Sequence, residues 1–225
     1  MNKKAESWCI PTYIINLKVR TERRTHMTEQ FSGRSEFNIT WVEAVEHPVG
    51  AIGLWESIVK IVQLAKSRNE DMILICEDDH VFTDVYTSDY LLYNLVRANQ
   101  QECDLLSGGI GGFGTAVPVD INRYWIDWFY STQFIIIFQP LFNPILSYDF
   151  KEGDTADGVL SQLSHNAMTV YPFLSIQRDF GYSDVTKHNN RPGSVKRFFA
   201  IASQRLSLIH YIYHKNLRTN NAQTF

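Results

Sequence analysis

Apolar positions along this chain switch repeatedly between strand-like and helix-like spacing. Tyr13-Ile14-Ile15-Asn16-Leu17 reads as a buried strand, and Thr21-Glu22-Arg23-Arg24 opens a helical stretch to about Phe31 with Thr21 as its cap. Ile39 to Val45 reads as a second strand. From Gly53 the spacing turns helical, with Leu54, Ile58, Ile61 and Ala65 on one line and Trp55, Val59 and Val62 beside it. Met72-Ile73-Leu74-Ile75-Cys76 is continuously apolar, the type buried on both faces of a parallel sheet. Ser88-Asp89 can cap a helix carrying Leu91, Leu92, Leu95 and Val96, and Asp104-Leu105-Leu106 reads as a short strand. Beyond Gly114 the pattern loosens. Trp125, Trp128, Phe129 and Tyr130 form an aromatic cluster, Phe134 to Phe138 a buried strand, Thr155 to Leu163 a helix, and Met168 to Tyr171 a strand before Pro172. From about Gly193, Phe198, Ile201, Leu208 and Ile212, with Leu206, Ile209 and Tyr213, fit an amphipathic helix.

Strand–helix alternation of this kind predicts βαβ units and one α/β domain, a mainly parallel but mixed sheet flanked by helices. Ligands in such sheets bind beyond the carboxyl ends of the strands. The polar groups ending the strands are Asn16, Glu77-Asp78-Asp79 and Ser107-Gly108-Gly109. With 225 residues, 44% of them hydrophobic and 20% charged, the chain has material for one packed core. Its longest apolar runs, such as Phe134 to Phe138, fall far short of the roughly 18 residues of a membrane helix. Met1 to Ser7 has a basic pair with no apolar stretch behind it, so no secretory signal is expected. Three cysteines without a CxxC pair predict reduced thiols and a cytoplasmic location, and no HExxH or Cys/His cluster suggests zinc. On the same ground the sequon Asn38-Ile39-Thr40, in an expected buried strand, is discounted.

The net charge of -3 hides an asymmetry. After Asp184 come Lys187, Arg191, Lys196, Arg197, Arg205, Lys215 and Arg218, with no acid among them. The natural division is a domain over residues 1–190 and a basic amphipathic helix or tail over 191–225. A basic tail on an acidic body suits an anionic partner, such as the inner face of a membrane. The plainer alternative is a helix packed on the domain with a solvated basic face.

Glu77-Asp78-Asp79 crowds three carboxylates at a strand end. They repel one another unless a cation or donors compensate, and hard oxygen ligands suit Mg²⁺ or Mn²⁺. Arg20, Arg23 and Arg24 either bind phosphate or stack on a base, or form a basic helix surface, the reading preferred for Arg24. Asn16 either pairs with a base or ties a turn. Asp157, near a helix start, either complements the helix dipole or serves as a general base. His80 and His188 are the histidines nearest the site, with core or surface placement the simpler reading; Gln177-Arg178-Asp179 and Ser183-Asp184 carry no specific signal. Gly109 to Gly114 matches GxGxxG, but Thr115-Ala116-Val117-Pro118 follows where the dinucleotide fingerprint needs a helix, so a mobile loop is expected instead. There is no GxxxxGK[ST] and no GxSxG.

Together these pieces resemble the family-25 glycosyltransferases, which include bacterial lipooligosaccharide galactosyltransferases and collagen galactosyltransferase domains. Four stretches carry the resemblance in order. They are Tyr13 to Arg24 (YIINLKVRTERR), Gly50 to Ser57 (GAIGLWES), Ile73 to Asp79 (ILICEDD), and Thr155-Ala156-Asp157 followed by Pro172 and Ser183-Asp184-Val185. The resemblance implies a GT-A (Rossmann-like) fold, a nucleotide-sugar donor that is usually UDP-linked, Mn²⁺ or Mg²⁺, and inversion at the anomeric carbon. By position it implies that Asn16, Leu17, Arg20 and Arg23 lie near the nucleotide. It implies Asp79, with Glu77, on the metal, Glu77 and Asp78 holding ribose, metal or donor sugar, and Asp157 as the base. The acceptor would be a glycan or lipid-linked glycan, as in lipopolysaccharide, lipooligosaccharide or capsule synthesis, with no nucleic acid involved. Three positions depart from the family: Ile58 stands where it has His, Cys76 replaces an apolar residue, and Gly158 follows the late aspartate. Two rivals remain: a relative that binds nucleotide sugar or glycan without transfer, and a nucleotidyltransferase.

Overall fold

The computed structural model describes residues 9–181 and 193–222. Ser183, Asp184, Val185, Lys187, His188 and Arg191, singled out above, lie outside the described residues. In chain order the first half contains β1 (Ile10–Asn16), α1 (Thr21–Phe31), β2 (Phe37–Glu43), α2 (Gly50–Ser67), β3 (Met72–Glu77), β4 (His80–Phe82), α3 (Ser88–Gln100) and β5 (Leu105–Ser107). There follow β6 (Gly112–Phe113), β7 (Ala116–Asp120), β8 (Arg123–Ile126), β9 (Phe129–Tyr130), β10 (Phe134–Phe138) and α4 (Phe142–Ser147). The chain continues through α5 (Ala156–Leu163), β11 (Ala167–Val170), β12 (Ser175–Gln177) and α6 (Ser194–Ala222).

Eight strands form one sheet in the order β2-β1-β3-β10-β5-β11-β8-β7. Only β10 and β8 run against the rest, so the sheet is mixed and mainly parallel, as the alternation predicts. Period-two alternation divides each central strand between two buried layers. Tyr13, Ile15, Ile73 and Ile75 pack with Trp55, Ile61 and Leu160 on one face. Ile10, Ile14, Leu74 and Cys76 pack with Met27, Phe31, Leu91 and Leu95 on the other. The three cysteines are free thiols, Cys76 and Cys103 buried and Cys9 half-buried.

Several boundaries differ from the sequence reading for local reasons. The second strand ends at Glu43, opposite the end of its partner at Asn16, and Ala44 N–H closes the ladder on the Asn16 carbonyl. It is an edge strand with Asn38 and Ile39 exposed, not a buried one. Thr21 is the first helical residue of α1 and Arg20 takes the cap position without a side-chain cap bond. Thr87, not Ser88, caps α3 by accepting from Tyr90 N–H. The α2 helix starts at Gly50, three residues earlier than its apolar line. The Gly50–Ser57 segment also fixes the loop after β2. A Cβ on Gly53 would come within 2.5 Å of the Val45 carbonyl, and Ser57 Oγ accepts from Val45 N–H at 2.8 Å. Ile58 is buried in the core, so the departure from the family's His falls on a packing position.

The glycine-rich stretch is not a loose loop. Ile110 and Phe113 are buried, and Gly112–Phe113 pairs with Phe129–Tyr130. The reason is close approach: a Cβ on Gly109 would lie 2.0 Å from the Ser175 carbonyl. Gly109→Ala should therefore destabilise the fold by about 3 kcal/mol through forced backbone displacement. A urea unfolding midpoint equal to that of the parent chain would contradict this.

The α6 helix belongs to the same core. Val195, Phe199, Ala202 and Leu206 are buried against the sheet layer. Arg205 donates to the carbonyls of Phe113 and Gly114 at 2.6 and 2.7 Å, and Tyr124 Oη bonds His210 Nδ1 at 2.7 Å.

Candidate active site

Strand β1 feeds β2 on one side and neighbours β3 on the other, so the chain changes direction across the sheet at the β1/β3 boundary. Such switch points open a crevice at the strands' carboxyl ends. Register puts Ile15 opposite Glu77, which brings Asn16 beside the acidic triplet. A cleft of about 1000 Å³ opens there. Asn16, Leu17, Arg20, Arg23, Glu77, Asp78, Asp79 and Asp157, the whole set singled out in the sequence, line it.

The three acids have different surroundings. Asp78 is held on both oxygens: Arg23 Nη1 donates to Oδ1 at 2.8 Å and Asn16 Nδ2 to Oδ2 at 3.0 Å, with Arg20 at 3.7 Å. This carboxylate is a strut for the β1–α1 turn. Asn16 Nδ2 also donates to the Arg20 carbonyl at 3.3 Å. Arg23 lies 4.5 Å over the Phe180 ring, a stacked and buried guanidinium.

Glu77 accepts from Thr132 Oγ1 at 2.5 Å. Burial, and then the charge of Asp79, push its carboxyl up to about 8. Asp79 accepts from Gln177 Nε2 at 2.8 Å. Burial, and then the charge of Asp78, push it up to about 6. Its Oδ1 is buried with no hydrogen-bond partner among the described residues. No cluster of three or more His, Cys, Asp or Glu that would cage a metal occurs among the described residues. Arg23 Nη1 stands 3.9 Å from Asp79 Oδ2, yet both carboxyls remain raised; this pair, one of its oxygens lacking a donor, fits a Mg²⁺ or Mn²⁺ that draws its other ligands from water and a diphosphate.

Asp157 sits in the first turn of α5, whose cap Thr155 accepts from Gly158 N–H. Its Oδ2 accepts from Ser131 N–H at 3.0 Å and its Oδ1 from Gly158 N–H at 2.9 Å. Its negative charge also raises the Glu77 carboxyl, so the two stand within electrostatic reach across the cleft. The connecting piece is Tyr130-Ser131-Thr132. Tyr130 lines the cleft, Ser131 (φ 84°) holds Asp157, and Thr132 holds Glu77.

Some lining residues gave no signal in the sequence. Gln177 ends β12, which joins β4 in a separate two-stranded ribbon, and Arg178, Asp179 and Phe180 follow it. Arg178 N–H donates to the Asp79 carbonyl at 2.7 Å, anchoring the triplet from a segment 99 residues later. Val45, Glu46, His47 and Pro48 form another wall, and Phe198 and Phe199 of α6 a third. His80 is a core residue, fully buried against Phe82 and Phe134 and bonded to Ser175 Oγ at 2.7 Å.

Arg23→Met should cost about 3 kcal/mol, because it leaves the buried Asp78 carboxylate without its closest positive partner. Adding Asp78→Asn should recover much of that loss. Equal urea midpoints for the single variant and the parent would show that Arg20 and Asn16 suffice.

No family model matches the chain, and no curated protein matches it. Among solved structures it is similar to A197 from STIV, with 10% identity and a TM-score of 0.48 over 78% of this chain and 87% of that one. It is similar to UDP-glucose pyrophosphorylase complexed with UDP-glucose, with 9% identity and a TM-score of 0.48 over 86% and 81% of the two chains. A putative glucose-1-phosphate thymidylyltransferase from Bacillus anthracis shows 12% identity and a TM-score of 0.41 over 85% and 75%. Likenesses this distant carry no activity across to the chain.

Proposed function

We propose that the chain is a metal-dependent inverting glycosyltransferase that moves a sugar from a UDP-sugar to a hydroxyl of a glycan or lipid-linked glycan. The observation that supports it is the meeting, in one cleft at a strand-order switch, of the β1 polar end, the buried carboxyl pair Glu77/Asp79, both raised, and Asp157 from another element. In this reading Asn16, Leu17, Arg20 and Arg23 contact the nucleotide. Asp79 and Glu77 hold the divalent cation, which when bound would supply Lewis-acid neutralisation of the diphosphate. Arg20 and Arg23 add positive charge beside the leaving group. Asp157 takes the proton of the attacking hydroxyl, its own orientation fixed by Ser131 and Gly158 N–H groups.

Thermal unfolding with a panel of nucleotide sugars, with Mn²⁺ and with chelator, tests this. The expected result is a saturable, metal-dependent stabilisation by a UDP-sugar, of about 2.7 kcal/mol at a hundredfold excess over Kd. Sugar transfer to a hydroxyl acceptor should follow in the same conditions. Pyrophosphate release from a nucleoside triphosphate would point to a nucleotidyltransferase, and stabilisation without transfer to a binding protein.

A further inference from the structure

The outer face of α6 is unusual for a helix that is already docked. Its inner side buries Val195, Phe199, Ala202 and Leu206. A second apolar line lies about a third of a turn round the helix: Phe198 is 43% exposed, Ile201 45%, Leu208 62% and Ile212 51%, with Tyr211 beside them. Spacings of three, seven and four residues keep these side chains on one stripe, about 21 Å long at 1.5 Å per residue. Lys196, Arg197 and Lys215 are exposed along the same helix. The helix sequence contains no Asp or Glu. An apolar line of this length open to water normally marks an interaction surface.

We propose that this face of α6 docks on an anionic lipid surface. Charge complementarity selects the occupant: an apolar stripe on a helix whose exposed charges are all cations matches the boundary between acyl chains and anionic headgroups. A symmetric pairing of two α6 helices would instead bring like charges together. The helix is not a membrane span, since no helix among the described residues is long and apolar enough to cross a bilayer. Docking would be in the plane of the surface. The stripe starts at Phe198, which also lines the cleft, so the docked face would bring the cleft mouth to the headgroups. The inference stands on α6 alone and does not depend on the transferase reading.

Flotation of the whole chain with phosphatidylcholine vesicles, with and without phosphatidylglycerol, tests it. The protein should float with the anionic vesicles and not with the neutral ones, and should be released by high salt. Removing one exposed cation, by Arg197→Ala or Lys215→Ala, should lower the partition about fivefold. The pair Leu208→Ser and Ile212→Ser should abolish flotation while leaving thermal unfolding unchanged, because both side chains already face water. Failure to float with anionic vesicles overturns the proposal. So does flotation unaffected by the Leu208/Ile212 pair, or a dimer in light scattering that the same pair dissociates, which would make the stripe a seam between copies.

Discussion

Asp157→Asn should lower turnover by about 10² to 10⁴-fold while leaving nucleotide-sugar binding intact. The amide is nearly isosteric with the carboxylate. It can keep one oxygen on the Ser131 N–H, so the α5 start and the cleft wall should not move. In the proposed transfer, what it loses is the carboxylate that would take the proton of the acceptor hydroxyl as the bond to the sugar forms. A kcat loss with little change in donor stabilisation separates this role from a purely structural one. The structural alternative predicts the opposite pattern: a lower unfolding midpoint from a weakened helix start, with activity lost only in proportion. Turnover equal to that of the parent chain would remove Asp157 from the mechanism.

Asp79→Asn should have two effects of opposite sign. In metal-free protein it should raise stability by about 1–3 kcal/mol, the order of free energy carried by a carboxyl held up at about 6 by burial and a like charge. That corresponds to several degrees in Tm for a chain of this size. With Mn²⁺ and the donor, the variant should lose the ligand-induced stabilisation that the parent gains. The pH dependence has the same origin. In the folded chain Asp79 and Glu77 keep their protons to about pH 6 and 8, above the usual carboxyl range near 4. The folded state therefore binds more protons than the unfolded state between about pH 4 and 8. Their contribution is fully present below that window and is lost as pH rises through it. Unfolding midpoints of the metal-free chain should fall across this range, and the fall should be shallower in Asp79→Asn. A midpoint that rises with pH in the parent but not in the variant would mean that a cation or donor already neutralises the pair.

The central fold was legible because its elements obey a period. The runs at Tyr13–Leu17 and Met72–Cys76 read as buried strands, the first of which ends at Asn16, and the polar groups closing them, Asn16 and Glu77-Asp78-Asp79, followed from that placement. The hidden parts have their cause in distance along the chain or in shortness. The β12–β4 ribbon is three residues wide and brings Gln177 to Asp79. No local pattern announces a bond between residues 98 apart. The β7–β8 hairpin hides a fully buried Arg123, paired with Asp120 at 2.9 Å, in a position that composition would give to the surface. The aromatic cluster read as one unit divides in two: Phe129 is core, while Tyr130 is exposed and lines the cleft.

Ser131 adopts a left-handed backbone (φ 84°) between two side chains that belong to opposite walls of the cleft. The peptide before it fixes Asp157 and the residue after it fixes Glu77. The span between those carboxyls is thus tied to one short piece of chain as well as to the seat of α5 on the sheet. In the proposed transfer, this span would set the size of sugar ring admitted between Asp157 and the diphosphate. Changes of donor size in relatives of this chain should therefore track the length and backbone conformation of residues 130–132 more closely than the identity of the pocket's side chains.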